Sequence, residues 1–229
     1  MTDKYNIGII VVATGNYVDM VDENKLIKSL LDNFLVNHNR TIYLFTDGRE
    51  LPDTAKIAVD HQPWPYPTLH RFHFITDNRK IIEHNDYLYY IDADMLIVDK
   101  IEDDILGDLV TTIHPSRDKY IRKNRFPFET RPESTAYFDS KDYKNYFTGA
   151  FYGGKSDCFL KMCAKLKENV DIDHSHNLIA VWHDESHLNC YCFHNKPTKI
   201  LNEAYAYRWD KHFIFDKKII PINHFKYRR

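Results

Sequence analysis

Glycine is rare in this chain, at 7 of 229 residues, while aromatic residues make up 14%. That balance excludes a linker-rich or disordered polypeptide, which has too little apolar surface to bury. Cysteine is rare as well, limited to Cys158, Cys163, Cys190 and Cys192. No two are spaced as C-x-x-C, so neither a zinc site nor a disulfide framework is expected, and the chain reads as reduced and cytosolic. An excess of one charge is also missing. The formal net charge is −2 and the isoelectric point is near 6.7, without the strongly basic face that nucleic-acid binding demands. No apolar run approaches the ~20 residues needed to span a bilayer. The first residues, MTDKYNIGII, pass straight into a strand without the regions of a signal peptide.

What is present describes a globular enzyme-sized unit. With 43% hydrophobic and 28% charged residues, the chain can bury one large core, so a single domain over residues 1–229 is expected. Tyrosine, at 16 copies, suits cores and also stacking on sugars and bases.

The patterning alternates strand and helix. IGIIVVAT at 7–14 is a continuous apolar run of the kind that forms a strand buried on both faces. A helix is predicted over 22–37, with Leu26, Leu30 and Phe34 on one face. A second strand is predicted at 41–46 and a short third at 56–59. A helix follows over 68–84, with Thr68 as its N-cap, and then the strand YLYYI at 87–91. Such alternation predicts βαβ units in a mainly parallel α/β sheet, with ligands bound beyond the carboxyl ends of the strands. Further on, 116–132 reads as an ordered loop. A strand at 146–152 is expected to be capped by Gly153-Gly154, followed by helices at 155–168 and 184–193. The basic tail FKYRR closes the chain.

Two acidic motifs carry chemistry. Asp92-Ala93-Asp94 follows the strand YLYYI directly, so a turn at Ala93 brings both carboxylates onto one hard divalent cation, completed by substrate phosphates. The plainer alternative is a pair of turn-forming surface aspartates. The second motif, WHDES at 182–186, follows an apolar entry. There Glu185 is suited to act as a nucleophile or as the stabiliser of an oxocarbenium-like centre. Asp184 can accept several sugar hydroxyls, and Trp182 can offer a face to an acceptor sugar. Helix N-terminal capping is the competing role for these acids. His183 and His187 read as structural.

WHDESHLN at 182–189, followed by NKPTKIL at 195–201, closely resembles glycosyltransferase family 6, which includes the histo-blood-group A and B transferases and α-1,3-galactosyltransferase. VATGNYV at 12–18, YIDAD at 90–94, FETRPESTAYF at 128–138 and YFTGAFYGG at 146–154 resemble further family segments in the same order. The resemblance implies a GT-A fold: one α/β domain with a Rossmann-like nucleotide-binding half. It implies retaining transfer of galactose or N-acetylgalactosamine from a UDP-sugar to the 3-hydroxyl of a galactoside-terminated glycan, with Mn²⁺ (or Mg²⁺) as cofactor. By position, Val12, Ala13, Thr14 and Tyr17 would contact the nucleotide. Arg71, Thr148, Gly149, Ala150 and Asp184 would contact the donor sugar, and Trp182 the acceptor. Asp92 and Asp94 would bind the metal and diphosphate, and Glu185 would be the catalytic carboxylate. Lys226, in a basic lid over about 222–229, would meet the diphosphate, and His224 is a candidate third metal ligand.

Departures from the family pattern matter too. Animal members carry a membrane anchor and stem, whereas here the catalytic segment starts almost at Met1. That implies a soluble microbial or viral relative working in a cytosol. Bacterial relatives replace the two acids with asparagines, and this chain keeps both. Tyr66 and Pro67 stand where the animal enzymes have an acid-containing stretch, and 111–125 matches poorly. Ala150 leaves less room for an N-acetyl group than glycine and so favours UDP-galactose. Other readings are a retaining GT-A enzyme with another UDP-sugar, a sugar- or nucleotide-binding module without turnover, and a structural protein whose acids only cap helices.

Overall fold

The computed structural model describes residues 4–141, 143–208 and 216–223. In chain order it contains β1 (Asn6–Val12), α1 (Tyr17–Glu23), α2 (Leu26–Asn33), β2 (Asn39–Thr46), β3 (Ala55–Ala58), α3 (Tyr66–Leu69), α4 (Arg71–Asp77), α5 (Arg79–Ile82), β4 (Tyr87–Ile91) and β5 (Met95–Ile97). There follow β6 (Leu109–Ile113), α6 (Arg117–Arg122), β7 (Phe147–Lys155), α7 (Ser156–Ser175), α8 (His183–His194), β8 (Lys199–Leu201) and β9 (Ile219–Pro221).

Seven strands form one mixed sheet in the order β3-β2-β1-β4-β7-β6-β8. The first four are parallel, and β6 and β8 are parallel to each other, while β7 runs antiparallel to both neighbours. A separate antiparallel pair joins β5 and β9. This is the α/β architecture with a mainly parallel sheet that the GT-A expectation requires. Alternate residues of the central strands serve opposite faces. Ile9, Val11 and Tyr89 belong to one buried cluster, and Ile10, Val12 and Tyr90 to the other. Two-sided burial is why β1 and β4 are apolar throughout rather than alternating. Among the described residues, no helix is long and apolar enough to cross a membrane.

Several elements differ from their sequence-based expectation, each for a local reason. The helix expected over 22–37 is two helices, broken at Lys25, whose φ is +59°. It stops at Asn33, where the carbonyls of Leu30, Leu31 and Phe34 all accept hydrogen bonds from Arg40 Nη1. The helix expected over 68–84 is three short ones. Thr68 lies inside α3 rather than capping a helix, and its hydroxyl donates to Pro65 O at 2.8 Å. Arg71 Nε takes up the Thr68 carbonyl at 3.0 Å. Within the loop expected over 116–132, residues 117–122 form α6.

Gly153 and Gly154 do not cap a strand; they lie within β7. A Cβ on Gly153 would sit 2.4 Å from Leu88 O, and one on Gly154 2.2 Å from Asp108 O. Gly154 also has φ +139°. Both glycines therefore admit backbones that any side chain would push apart.

Candidate active site

The carboxyl ends of β1 and β4 lie side by side, with Ile10 opposite Tyr90 in a parallel register. β7 enters beside β4 from the opposite direction, and Asp92 N donates to Ala150 O at 2.9 Å. This pairing sets the aspartates that follow β4 against Thr148, Gly149 and Ala150 at the start of β7. The first turn of α8 then closes the space. A cavity of about 170 Å³ results, lined by Thr68, Arg71, Asp92, Thr148, Gly149, Ala150, Trp182, Asp184 and Glu185. A larger cleft of about 320 Å³ lies elsewhere, walled by α1, α2 and residues 51–53. It contains none of the predicted site residues.

Arg71 is the centre of the charge arrangement. Its side chain is 5% exposed, and Nη1 lies 3.1 Å from both Asp92 Oδ1 and Asp184 Oδ2. The same nitrogen donates to Gly149 O at 3.0 Å, and the guanidinium carbon stands 4.4 Å from the centre of the Tyr90 ring. Burial disfavours its charge, but Asp184, Tyr90 and Asp92 outweigh burial and hold Arg71 firmly protonated. The acids feel the same enclosure. Burial pushes Asp184 up to about 6 against the pull of Arg71. Burial also raises Asp92, where Arg71 opposes the rise and Asp94 adds to it. Tyr90 Oη donates to Asp92 Oδ1 at 2.7 Å.

Glu185 is held separately. Its Oε1 accepts from Tyr146 Oη at 2.7 Å and its Oε2 from Gly149 N at 2.9 Å. Burial pushes its carboxyl up to about 7, with these two hydrogen bonds opposing. A carboxylate has about four lone-pair positions, so two fixed donors orient it while leaving a face for a reacting carbon. Asn189, one turn later in α8, anchors the arrangement. It accepts from Phe147 N at 2.9 Å and donates to Phe147 O and to Glu185 O, both at 2.8 Å. One buried amide thus ties β7 to the Glu185 turn.

A third support reaches the approach to α8. Glu129, 3% exposed, accepts from Val181 N at 2.8 Å through Oε2 and is paired with Arg131 at 2.7 Å. Arg131 Nη2 donates to Ile179 O at 2.6 Å. Although burial works against its charge, the bonds from Arg131 and Val181 hold Glu129 down at about 2. Trp182, next in sequence, is 51% exposed at the cavity rim. His187 is buried, with Nε2 3.7 Å from Asp173 Oδ2. Burial lowers it to about 4, so it is neutral, consistent with a structural role.

The nucleotide-side residues are more dispersed. Val12 and Ala13 are buried, their side chains in the two core clusters. Thr14 is buried at 5% and Tyr17 is half-buried at the start of α1. Gly15, with φ +58°, donates to Asp47 Oδ1 at 2.8 Å and lies under the His61 ring. These residues share the sheet edge with Asp92 but do not line the sugar-side cavity. Asp94 is half-buried, and its carbonyl accepts from Ile222 N at 2.7 Å. His224, Lys226 and the rest of 224–229 lie outside the described residues.

The metal expectation can be weighed from the donor set. Among the described residues, no group of three or more His, Cys, Asp or Glu side chains is arranged to hold a metal ion. Two acids one residue apart, with Asp94 adding to the raised proton affinity of Asp92, do fit a divalent cation that takes its other ligands from phosphate and water. They do not form a complete protein cage.

Tyr146, Asn189, Glu129, Arg131 and Thr68 are additions to the sequence-based site. Asn189 had a signal, since it stands four residues after Glu185 on a predicted helix and so shares its face. Tyr146 opens the YFTGAFYGG segment, but its contact with Glu185 is tertiary. No local pattern announces it.

Comparison with known proteins agrees with this geometry. The profile described as Glycosyltransferase family 6 matches residues 1–227. Histo-blood group ABO system transferase 2 of Rattus norvegicus is 31% identical over 242 residues, covering 95% of this chain and 70% of the relative. O-antigen biosynthesis glycosyltransferase WbnI of Escherichia coli is 31% identical over 212 residues, covering 88% and 87%. Globoside alpha-1,3-N-acetylgalactosaminyltransferase 1 of Homo sapiens is 29% identical, covering 89% and 61%. With a mixed α/β sheet, acids at its carboxyl edge and a profile match over nearly every residue, the chain belongs to glycosyltransferase family 6.

Proposed function

We propose that this glycosyltransferase moves galactose, or N-acetylgalactosamine, from a UDP-sugar to the 3-hydroxyl of a galactoside acceptor with retention, as one GT-A domain spanning the chain. The observation that carries this reading is the division of three acids around one cavity. Asp92 and Asp184 share the Arg71 guanidinium, while Glu185 is held apart by Tyr146 and Gly149. The roles follow from that division. Asp184 accepts donor-sugar hydroxyls while Arg71 fixes its orientation. Thr148, Gly149 and Ala150 shape the sugar's floor, and the backbone of Val12–Thr14 with Tyr17 receives the nucleoside. Trp182 faces the acceptor. The similarity to a globoside alpha-1,3-N-acetylgalactosaminyltransferase supports the donor class.

Mn²⁺ or Mg²⁺, held by Asp92 and Asp94 and completed by diphosphate oxygens, would neutralise charge on the departing UDP. Glu185 provides the negative charge on the sugar side. It either bonds to the anomeric carbon and is displaced by the acceptor oxygen, or it stabilises the cationic sugar during attack from the leaving-group face. Mass spectrometry of a trapped enzyme separates these routes, since only the first gives a glycosyl adduct on Glu185. The basic segment of about 222–229 is proposed as a lid over the diphosphate, with Lys226 among its cations. The Ile222–Asp94 backbone bond supports this by bringing the preceding residues to the metal motif.

Calorimetric titration with UDP, with and without Mn²⁺, tests the core of the reading. Metal-dependent UDP binding is expected; its absence would overturn the assignment of Asp92 and Asp94. Turnover of UDP-galactose and UDP-N-acetylgalactosamine, measured side by side as UDP release, tests the donor. Ala150 lines the cavity, where glycine would leave more room for an N-acetyl group, so UDP-galactose is expected to be the faster donor.

A further inference from the structure

One oxygen of Asp92 is already engaged from within the protein. Tyr90 Oη donates to Asp92 Oδ1 at 2.7 Å, and Arg71 Nη1 stands 3.1 Å from the same oxygen. The two contacts differ in kind. Arg71 Nη1 is divided, since it also lies 3.1 Å from Asp184 Oδ2 and donates to Gly149 O at 3.0 Å. A tyrosine hydroxyl has one hydrogen to give, and Tyr90 gives it to Asp92.

The strand explains why this donor is fixed. Tyr90 and Asp92 stand two residues apart where β4 runs out, so their side chains share a face. The Tyr90 ring is 2% exposed. It lies opposite Tyr152 in the β4–β7 register and stacks on it, with centroids 5.1 Å apart and planes at 26°. The Arg71 guanidinium carbon stands 4.4 Å from its centre. The hydroxyl cannot swing away from Asp92 without breaking that packing. Tyr152 supplies the contrast. It is 0% exposed and belongs to the same stack, yet among the described residues its hydroxyl has no hydrogen-bond partner. The two tyrosines share their packing and differ in what their hydroxyls hold.

We propose that Tyr90 is a positioning residue for the divalent cation: its hydroxyl fixes the Asp92 carboxylate so that Oδ2 is presented to the metal beside Asp94. The inference rests on the Asp92–Asp94 metal reading above and adds the group that orients the ligand. A carboxylate at the end of a strand rotates freely about its last bond. With Oδ1 taken by two donors, that rotation is stopped before a cation arrives. Tyr90 acts only through Asp92. Losing a hydrogen bond of this kind behind a metal ligand typically weakens metal affinity about 10- to 100-fold.

The test is calorimetric titration of UDP into the full chain at stepped Mn²⁺ concentrations, which needs no turnover. Tyr90→Phe removes the hydroxyl and keeps the ring that stacks on Tyr152 and meets Arg71. The Mn²⁺ concentration giving half the full gain in UDP affinity is expected to rise about 10- to 100-fold in this variant. Its thermal midpoint in EDTA is expected to stay close to native, and its kcat to recover as Mn²⁺ is raised to saturation. Tyr152→Phe, which removes a hydroxyl without a partner, is expected to respond to Mn²⁺ as the native chain does. A native or stronger Mn²⁺ response in Tyr90→Phe would overturn the role of Tyr90 and leave the Asp92–Asp94 reading intact. Equal losses in the two variants would assign the effect to ring packing and overturn it as well. An unfolded Tyr90→Phe would make the hydroxyl a requirement of the fold, which also overturns a role confined to the metal. UDP binding by the native chain that ignores Mn²⁺ would overturn the metal reading itself, and this inference with it.

Discussion

The Arg71 guanidinium lies between buried Asp184 and partly buried Asp92, and Glu185 is the acid it does not neutralise. That difference makes Glu185 the informative side chain for mutation. Glutamine keeps an oxygen for Gly149 N and an amide that can donate to Tyr146 Oη, so Glu185→Gln should fold and bind UDP as the native chain does. Its kcat is expected to fall about 10²- to 10⁴-fold, the scale of removing one charge-stabilising group; steady-state rates with calorimetry would check both halves. Glu185 also sets a pH dependence of stability. Its carboxyl is raised from an ordinary 4.5 to about 7. The native state therefore keeps a proton that the unfolded chain has released, and stability falls as pH climbs through that interval. Thermal midpoints of the ligand-free protein should drop between pH 5 and pH 8, and less so in Glu185→Gln; equal drops would place the cause elsewhere. Gly149→Ala tests packing. Its Cβ would lie 2.7 Å from Asp184 Oδ2, an oxygen tied to Arg71 and unable to retreat freely. A destabilisation of about 1–3 kcal/mol by denaturant titration is expected. At this scale the acids were readable in advance because their residue types and spacing carry the chemistry. Tyr146 and Asn189 were not, because their roles exist only once β7 and α8 are packed together.

At the scale of elements, β4 forms at the predicted 87–91 because an unbroken apolar run buried on both faces has one stable outcome. The short strands β5, β8 and β9 have three residues each, too few to show a period. The helix expected over 68–84 breaks where side chains compete with the helical ladder. Arg71 draws on the Thr68 carbonyl, and Asn78 Nδ2 donates back to Phe74 O at 2.9 Å. That interruption has a consequence for the site, since it places Arg71 at the start of α4 rather than mid-helix. Asn189 is the link between β7 and α8. Asn189→Ala would strand the Phe147 amide and carbonyl in the interior, with a cost of about 1–3 kcal/mol for each group left unpaired. A lowered thermal midpoint together with reduced kcat is expected, because the Glu185 turn loses its tie to Phe147. A variant with native stability and rate would show that the other α8 contacts suffice.

For the molecule as a whole, ligand binding and folding are linked. UDP with Mn²⁺ at about 100 times its dissociation constant should stabilise the chain by about 2.7 kcal/mol, a shift of roughly 5–10 °C for a protein of this size. Asp92→Asn should abolish the part of the shift that requires metal, as read by differential scanning fluorimetry with and without EDTA; a persistent metal increment would move the cation elsewhere. The α/β class and the parallel half of the sheet were legible from strand–helix alternation over the first hundred residues. The antiparallel insertion of β7 was not, because strand direction within a sheet depends on distant partners. That insertion has a further consequence. Ile91 opposite Phe151 is the last register pair of β4 and β7, and it sets Asp92 and Asp94 against Thr148, Gly149 and Ala150. The chain between those two strands leaves the site after Asp94, touches it again where Glu129 and Arg131 hold the approach to α8, and returns at Tyr146. Outside Glu129 and Arg131, the excursion can lengthen, shorten or change sequence without moving Asp92 against Ala150, provided the two strands stay in step. The weakly matching stretch 111–125 lies inside that excursion. The architecture thus separates the register that fixes Asp92 against Ala150 from a stretch whose length and sequence can vary around it.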